Sequence, residues 1–74
     1  MPALLDVKGL NCPLPVLRVK KKIKDLAIDE TMQILATDPG AARDVEAFCA
    51  ASGNEFLGAR EEAGVFVIEI CRRT

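Results

Sequence analysis

Cys12 is the residue of this sequence best suited to chemistry, because it stands where a short apolar stretch gives way to a predicted helix. The pattern predicts Cys12 as the N-cap of that helix, with Pro13 at its first position and Pro15 still inside its first turn. Since prolines lack an N–H group, the main free donor beside the sulfur is the backbone N–H of Leu14. This donor and the positive end of the helix dipole are expected to favour the thiolate, which is the reactive form.

The alternative for each of the three cysteines is a small buried side chain, which is the commoner role of a free cysteine. For Cys12, the neighbouring prolines and Gly9 indicate a boundary between two elements, where residues are usually exposed and often functional. Cys49 follows Phe48 on the predicted inward face of the second helix, so we expect it in the core. Cys71 ends the last predicted strand, and we expect it on the solvent side or at a frayed end. Neither Cys49 nor Cys71 is assigned a chemical role.

The composition argues against several other kinds of site. The chain has no histidine, so Cys12 has no imidazole base of its own. The cysteines are odd in number, widely spaced and without a Cys-x-x-Cys pair, which argues against a secreted disulfide framework and a structural zinc site. We therefore expect no metal and no cofactor.

The length and hydropathy predict one small domain, residues 1–74. A chain of 74 residues is too short for a deep substrate pocket, and its three aromatic residues require an aliphatic core. No apolar run approaches the roughly 18 residues of a membrane span. The start, Met1–Leu5, lacks the charged region and apolar core of a signal peptide. We therefore expect a cytoplasmic protein that does not bind membranes.

Basic residues are concentrated near the motif. Six of the ten lie between residues 8 and 24, a segment without an acid, whereas residues 25–69 hold ten of the eleven acids. A solvated helix face is the ordinary explanation for such a run. The functional alternative is a cationic surface that steers acidic partners to the thiol and favours the thiolate. The run comprises Lys8, Arg18, Lys20, Lys21, Lys22 and Lys24, of which Lys8, Arg18, Lys20, Lys21 and Lys24 are the candidate partner-binding residues.

The rest of the pattern predicts four strands and two helices in the order βαβαββ. Strands are predicted at 4–7, 32–36, 55–60 and 65–71, a first helix at 13–27, and a second helix whose apolar positions run from 41 to 52. The apolar stripe of the first helix is Val16, Val19, Ile23 and Leu26. Asp38 is the predicted N-cap of the second helix, Pro39 its first residue and Gly53 its stop signal.

The connections between these elements predict the fold class. A strand, helix and second strand form a right-handed unit with parallel strands, and a short turn makes the last two strands an antiparallel hairpin. We therefore expect an α/β (α+β) two-layer sandwich, with two helices on one face of a mixed four-stranded sheet.

The motif Leu5-Asp6-x-x-Gly9-Leu10-x-Cys12-Pro13-x-Pro15, followed by a basic helix, Asp38-Pro39 and Phe48-Cys49, resembles the TusA/SirA-like family of small sulfur-carrier proteins. The resemblance covers almost the whole chain and implies the same fold. It implies that Cys12 receives a sulfane sulfur as a persulfide from a donor protein, such as a cysteine desulfurase or rhodanese-like protein. It further implies that Cys12 passes this sulfur to an acceptor protein, as a sulfurtransferase without small-molecule turnover. Family members feed tRNA thiolation, cofactor assembly or sulfur oxidation.

Other residues of the motif are expected to support the cysteine. Gly9 is the predicted turn residue, Pro13 and Pro15 fix the first turn of the helix, and Leu14 between them is a further supporting residue of the motif. For Asp6 we expect a hydrogen bond within the loop, because a carboxylate close to the sulfur would oppose its ionisation.

Three other functions are compatible with parts of the sequence. A regulatory or interaction module would use the binding surface and not the thiol. An RNA-binding domain would use the basic helix, but the pI near 5.3 and the lack of Tyr and Trp oppose direct nucleic-acid binding. Haem sensing through Cys12-Pro13 has no second ligand. We expect a monomer, because a carrier must leave its site free for two successive partners.

Overall fold

The computed structural model describes residues 3–74 and confirms the predicted order βαβαββ. Its elements are β1 (Ala3–Val7), α1 (Leu14–Lys22), a 3₁₀ turn (Ile23–Asp25), β2 (Thr31–Ala36), α2 (Ala41–Ser52), β3 (Glu55–Glu62) and β4 (Val65–Cys71). Met1 and Pro2, the first two residues of the stretch without signal-peptide features, lie outside the described residues. None of the helices within residues 3–74 is long and apolar enough to cross a membrane.

The four strands form one mixed sheet in the order β1-β2-β4-β3. β1 runs parallel to β2, whereas β4 is antiparallel to both β2 and β3. Because β1 and β2 are parallel, their carboxyl ends meet at the same edge of the sheet. The loop that leads into α1 and the loop that leads into α2 therefore lie side by side, and this places the candidate site.

The core is aliphatic and lies between the sheet and the two helices. In β2, residues alternate between buried and partly exposed positions, as expected for a strand with one covered face. Ile34 of β2 pairs with Leu5 of β1 and with Ile68 of β4, so these three side chains share that face. Val19 of α1 and Val45 of α2 belong to the same buried cluster. The predicted two-layer sandwich, with both helices on one face, is confirmed.

α1 is shorter at both ends than the predicted helix 13–27. It begins at Leu14 with Pro13 as N-cap, and its regular part ends at Lys22. The 3₁₀ turn follows, after which Leu26 is extended. The Arg72 guanidinium donates a hydrogen bond to the backbone carbonyl of Leu26, just beyond the 3₁₀ turn. In a longer helix, a backbone N–H of the next turn would have donated to this carbonyl instead. Leu26 nevertheless stays buried, as do Val19 and Ile23, whereas Val16, the first residue of the predicted apolar stripe, is only partly buried.

The predicted start of α2 is also wrong. Gly40 is the N-cap and no side chain caps the helix. The carbonyl of Asp38 accepts the N–H of Ala41 at 3.1 Å, so residues 38–41 form a separate turn before the helix. The side chain of Asp38 is therefore free of a capping role. At the other end Gly53, with φ of 83°, stops the helix as predicted.

The hairpin of β3 and β4 is tighter than the sequence indicates. β3 continues to Glu62, which pairs with Val65, so only Ala63 and Gly64 form the turn. Both turn residues have positive φ, as a two-residue hairpin of type I′ requires. The polar pair Glu61 and Glu62 resembles turn sequence, but the structure places both residues in β3.

The two remaining cysteines are both buried. Cys49 lies in the core, as predicted. The prediction for Cys71 is wrong, since only 3% of this residue is exposed. The end of β4 does not fray, because Cys71 is paired on both sides, with Thr31 and with Glu55. The N–H of Arg72 then donates to the carbonyl of Glu30 at 3.0 Å and holds the chain beyond the strand.

Candidate functional site

Cys12 lies in the loop between β1 and α1, with an exposed thiol. Two hydrogen bonds fix the path of the chain at the start of this loop. Asp6 Oδ1 accepts the N–H of Lys8 at 2.9 Å, the loop bond expected of Asp6. Gly9 turns the chain with φ of 82° and donates its N–H to Thr37 Oγ1 at 2.9 Å. The loop that carries the thiol is thereby tied to the loop that precedes α2.

The start of α1 differs from the predicted geometry at one decisive point. Cys12 stands one residue before the N-cap, which is Pro13. The N–H of Leu14 donates to the carbonyl of Asn11 at 2.8 Å, so it is not a free donor beside the sulfur. Pro15 is buried at the base of the turn. The prediction of a backbone donor that stabilises the thiolate is therefore wrong.

The hydrogen-bond partner of the thiol is Asp44, a residue that sequence analysis did not single out. Cys12 Sγ donates to Asp44 Oδ2 at 3.0 Å. Asp44 is half-buried in the first turn of α2, and its N–H donates to the carbonyl of Gly40 at 3.1 Å. Because this helical bond holds its backbone, the carboxylate is presented to the sulfur from a fixed element.

This contact reverses the expected electrostatics of the site. The hydrogen bond to Asp44 raises the pKa of the Cys12 thiol above its ordinary value, and slight desolvation and the negative charges of Asp44 and Asp38 raise it further. The thiol, and not the thiolate, is thus the favoured form in the free protein. The prediction of a lowered pKa is wrong, because the nearest charges are carboxylates from another helix and its loop.

Asp38 adds a second carboxylate to this side of the site. It lies in the loop after β2, and its Oδ2 atom is buried without a hydrogen-bond partner within residues 3–74. A buried carboxylate oxygen without a partner is costly, and such atoms often occur in functional regions. Asp38 and Asp44 therefore form an acidic pair on the side of Cys12 that faces α2.

Four of the five candidate basic residues lie along α1 and the 3₁₀ turn, and none of the five is among the groups that shift the pKa of the Cys12 thiol. Arg18, Lys20, Lys21 and Lys24 lie on α1 and the 3₁₀ turn, on the side away from the core. Lys8 is near Cys12 in sequence, but its Nζ lies 3.8 Å from Asp6 Oδ2, with which it forms an ion pair. The predicted role of these cations in favouring the thiolate is therefore not supported by the geometry.

An open groove of 560 Å³ lies between α1 and α2 on the basic side of the molecule. Lys20, Lys21, Lys24 and Arg72 contribute to its wall, and Cys12 does not. Lys20 Nζ also stands 5.8 Å from the centre of the Phe48 ring, within the range of a cation–π contact. The cationic surface is thus a separate feature from the thiol.

Two apolar side chains near Cys12 in sequence are exposed: Leu14, which was expected to support the motif, and Leu17, which the sequence analysis did not single out. Leu14 and Leu17, on the first turns of α1, are 46% and 48% exposed. Exposed apolar side chains that lie together on one surface are typical of sites that contact other proteins. The spacing of Leu14 and Leu17 was an available signal, since neither residue belongs to the predicted buried stripe.

The fold and the site together define a class of protein: a small two-layer α/β domain with one exposed cysteine at the loop that enters its first helix. The family described as Sulfurtransferase TusA matches residues 3–72. The chain belongs to this family, which confirms the resemblance found in the Cys-Pro-x-Pro motif.

Named relatives and a solved structure agree with this assignment. The sulfur carrier protein TusA of Allochromatium vinosum is 45% identical over 62 residues, which cover 84% of this chain and 82% of that protein. The protein of the same name from Pseudomonas entomophila is 42% identical over 71 residues, covering 96% and 89%. The crystal structure of the SirA-like protein from Desulfitobacterium hafniense superimposes with a TM-score of 0.84, covers 97% of this chain and 99% of its own, and is 20% identical. At that identity it shows a shared fold.

Proposed function

We propose that this protein is a sulfur carrier, which accepts a sulfane sulfur on Cys12 as a persulfide and passes it to an acceptor protein. The observation that carries the proposal is the exposed thiol of Cys12 at the start of α1. It stands in a member of a family whose relatives in A. vinosum and P. entomophila are named sulfur carriers. The thiol needs no deep pocket, because both partners of a relay bring their own active sites to it.

The transfer is an exchange between sulfur atoms without net oxidation. The sulfur of Cys12 attacks the outer sulfur of a persulfide on the donor, so a new S–S bond forms at Cys12 while the S–S bond of the donor breaks. The donor leaves as a thiol, and Cys12 carries the –S–SH group. A thiol of the acceptor then attacks the outer sulfur of this group and restores the Cys12 thiol.

The positions of the other cysteines support a carrier over an enzyme that forms a disulfide. A second thiol close to the persulfide would attack it, form a disulfide and release sulfide. Cys49 and Cys71 are both free and both buried, whereas Cys12 is exposed. A loaded Cys12 would therefore retain its sulfur until an external thiol arrives.

The proposal extends to enzyme class, partners and location. The protein would act as a sulfurtransferase whose substrates are other proteins, namely a desulfurase or rhodanese-like donor and a thiol-bearing acceptor. Such relays operate in the cytoplasm, where thiols stay reduced. We propose a monomer there, since each partner in turn must reach the same sulfur.

Loading of the wild-type chain tests the proposal. The protein is incubated with a cysteine desulfurase and labelled cysteine, and its intact mass and the mass of the peptide that contains Cys12 are measured without reductant. We expect one added sulfur on that peptide, removable by dithiothreitol. No added sulfur from the desulfurase, from a rhodanese-like donor or from glutathione persulfide would contradict the proposal.

The basic surface gives a further prediction for an acidic donor. Reversal of Lys20, Lys21 and Lys24 to glutamate is expected to slow loading about tenfold at low ionic strength and to weaken its dependence on salt, because electrostatic steering changes association rates by roughly 10 to 10³. Initial rates at several salt concentrations provide the measurement.

The matched control for this surface is a charge reversal elsewhere. Arg43 is exposed on α2, so Arg43→Glu can be compared with the single variant Lys24→Glu. If Arg43→Glu and Lys24→Glu slow loading equally, or if the triple lysine variant loads at the wild-type rate, the lysines have no role in docking and only form a solvated face of the helix.

A further inference from the structure

The contact between Cys12 and Asp44 has a consequence for how sulfur is accepted, and it rests on the proposed function. Within the described residues, Asp44 is the one side chain hydrogen-bonded to the sulfur, with Sγ donating to Oδ2 at 3.0 Å. The proton of the thiol therefore points at the carboxylate. The exposed side of the sulfur is left open to an approaching partner, so attack requires no rearrangement of the pair.

The composition restricts which group can take this proton. The chain contains no histidine, so a base supplied by this protein must be a carboxylate or an amine. The amine of Lys8 is already paired with Asp6. The other carboxylate that acts on Cys12 is Asp38, which influences it through charge and not through a hydrogen bond.

We infer that Asp44 is a catalytic residue, the general base of sulfur acceptance. As Cys12 Sγ attacks the outer sulfur of the donor persulfide, the thiol proton moves to Asp44 Oδ2. The S–S bond of the donor breaks at the same time, and the proton passes from Asp44 to the departing donor sulfur. The products are Cys12–S–SH, a donor thiol and an ionised Asp44, so protons and electrons balance without another reactant.

A role as general base explains why the Asp44 carboxylate lies beside the Cys12 thiol, although its charge opposes ionisation of that thiol. A carrier that kept a free thiolate on an exposed surface would react with any electrophile or oxidant. With Asp44 in place, less of the resting sulfur is thiolate, so it reacts more slowly with such reagents. Proton removal is then coupled to the arrival of a donor whose leaving sulfur can take up the proton.

The variant Asp44→Asn distinguishes two roles of Asp44: a general base in sulfur acceptance, and a negative charge that only lowers the fraction of thiolate. The amide keeps the shape of the side chain but has no charge and cannot accept the proton. We expect alkylation of Cys12 by iodoacetamide at neutral pH to become several-fold faster, because more thiolate is present. We expect loading from glutathione persulfide, measured on the same sample, to become about 100-fold slower, at the low end of the effect of a general base.

The pH dependence of loading is a second readout. In Asp44→Asn only the thiolate can attack, so the loading rate, divided by the fraction of glutathione persulfide that is protonated at each pH, should rise about tenfold for each pH unit below the pKa of the thiol. In the wild-type chain the rate should depend far less on pH across neutrality, because the base removes the proton during attack. Glu46→Gln, an exposed acid on the same helix, is the control and should resemble the wild type in both assays.

Each other outcome overturns the inference. If Asp44→Asn accelerates both alkylation and loading, Asp44 only suppresses the thiolate. If neither rate changes, the contact has no role in the reaction. If loading falls with a desulfurase but not with glutathione persulfide, Asp44 serves docking. The proposed function is tested separately, by whether the wild-type chain loads sulfur at all. If it does not, the proposed function is refuted, whereas the role of Asp44 is tested by the ratio of the loading rates of the variant and the wild type.

Discussion

Cys12→Ser is expected to abolish sulfur loading, whereas Cys49→Ser and Cys71→Ser leave it largely intact. A serine hydroxyl cannot form a persulfide, so the effect should be complete and not graded. The two other thiols are buried in the core and at the end of β4, where a donor protein cannot reach them. Labelled sulfur bound per folded molecule, measured for all three single variants, tests this prediction.

The folded fraction has to be measured in the same experiment. Cys12 is exposed, and a serine can still donate to Asp44, so Cys12→Ser should fold like the wild type. Cys49→Ser places a hydroxyl in an apolar core and is expected to lower stability. Retained loading on Cys12→Ser would end the carrier hypothesis. Full biological activity of Cys12→Ala would favour the regulatory or interaction module.

Ile34→Ala is expected to be the most damaging of the simple core truncations, at about 3 to 4 kcal/mol of unfolding free energy. Ile34 is fully buried in the central strand β2, between Leu5 and Ile68. Domains have about 0.05 to 0.15 kcal/mol of stability per residue, which gives this chain on the order of 4 to 11 kcal/mol. The loss would thus remove a large share of the total. Urea denaturation of both proteins measures it.

Ile28→Ala provides the matched control for this prediction. It removes the same atoms at a residue that is 55% exposed in the loop before β2. We expect a change below about 0.5 kcal/mol, as at most surface positions. Equal losses for Ile28→Ala and Ile34→Ala would show that the buried face of β2 is not the centre of the core.

The pattern of apolar residues was sufficient to predict the fold. Alternation in β2 and β4 and the three- and four-residue spacing in α1 depend only on which faces are buried, and burial of apolar surface is the dominant driving force of folding. Helix ends were less predictable. The end of α1 depends on Arg72, which is distant in sequence and closes the last turn through the carbonyl of Leu26. No local signal near Leu26 specifies that contact.

In the candidate site, the position of Cys12, the turn at Gly9 and the loop hydrogen bond of Asp6 were predictable, but the charges beside the sulfur were not. The motif identified Cys12, but the charge beside it comes from Asp44, 32 residues later in the chain. Local rules for a helix start concern the first turn of that helix, and they do not include side chains from another element. One available signal was the predicted parallel pairing of β1 and β2, which brings the two following loops together. Combined with the acids at positions 38 and 44, this pairing would have indicated carboxylates near the sulfur, but it was not used in the prediction.

The hydrogen bond from Gly9 to Thr37 has a practical consequence for protein engineering. Grafting the Cys-Pro-x-Pro segment onto the start of an unrelated helix would transfer the cysteine without the side chains that contact it and its loop. The recipient scaffold would lack both the hydroxyl that anchors Gly9 and the aspartate that accepts the thiol hydrogen bond. A graft that also includes residues 37–44, placed after a neighbouring parallel strand as the loop and first helical turn that follow β2, would preserve both of these contacts.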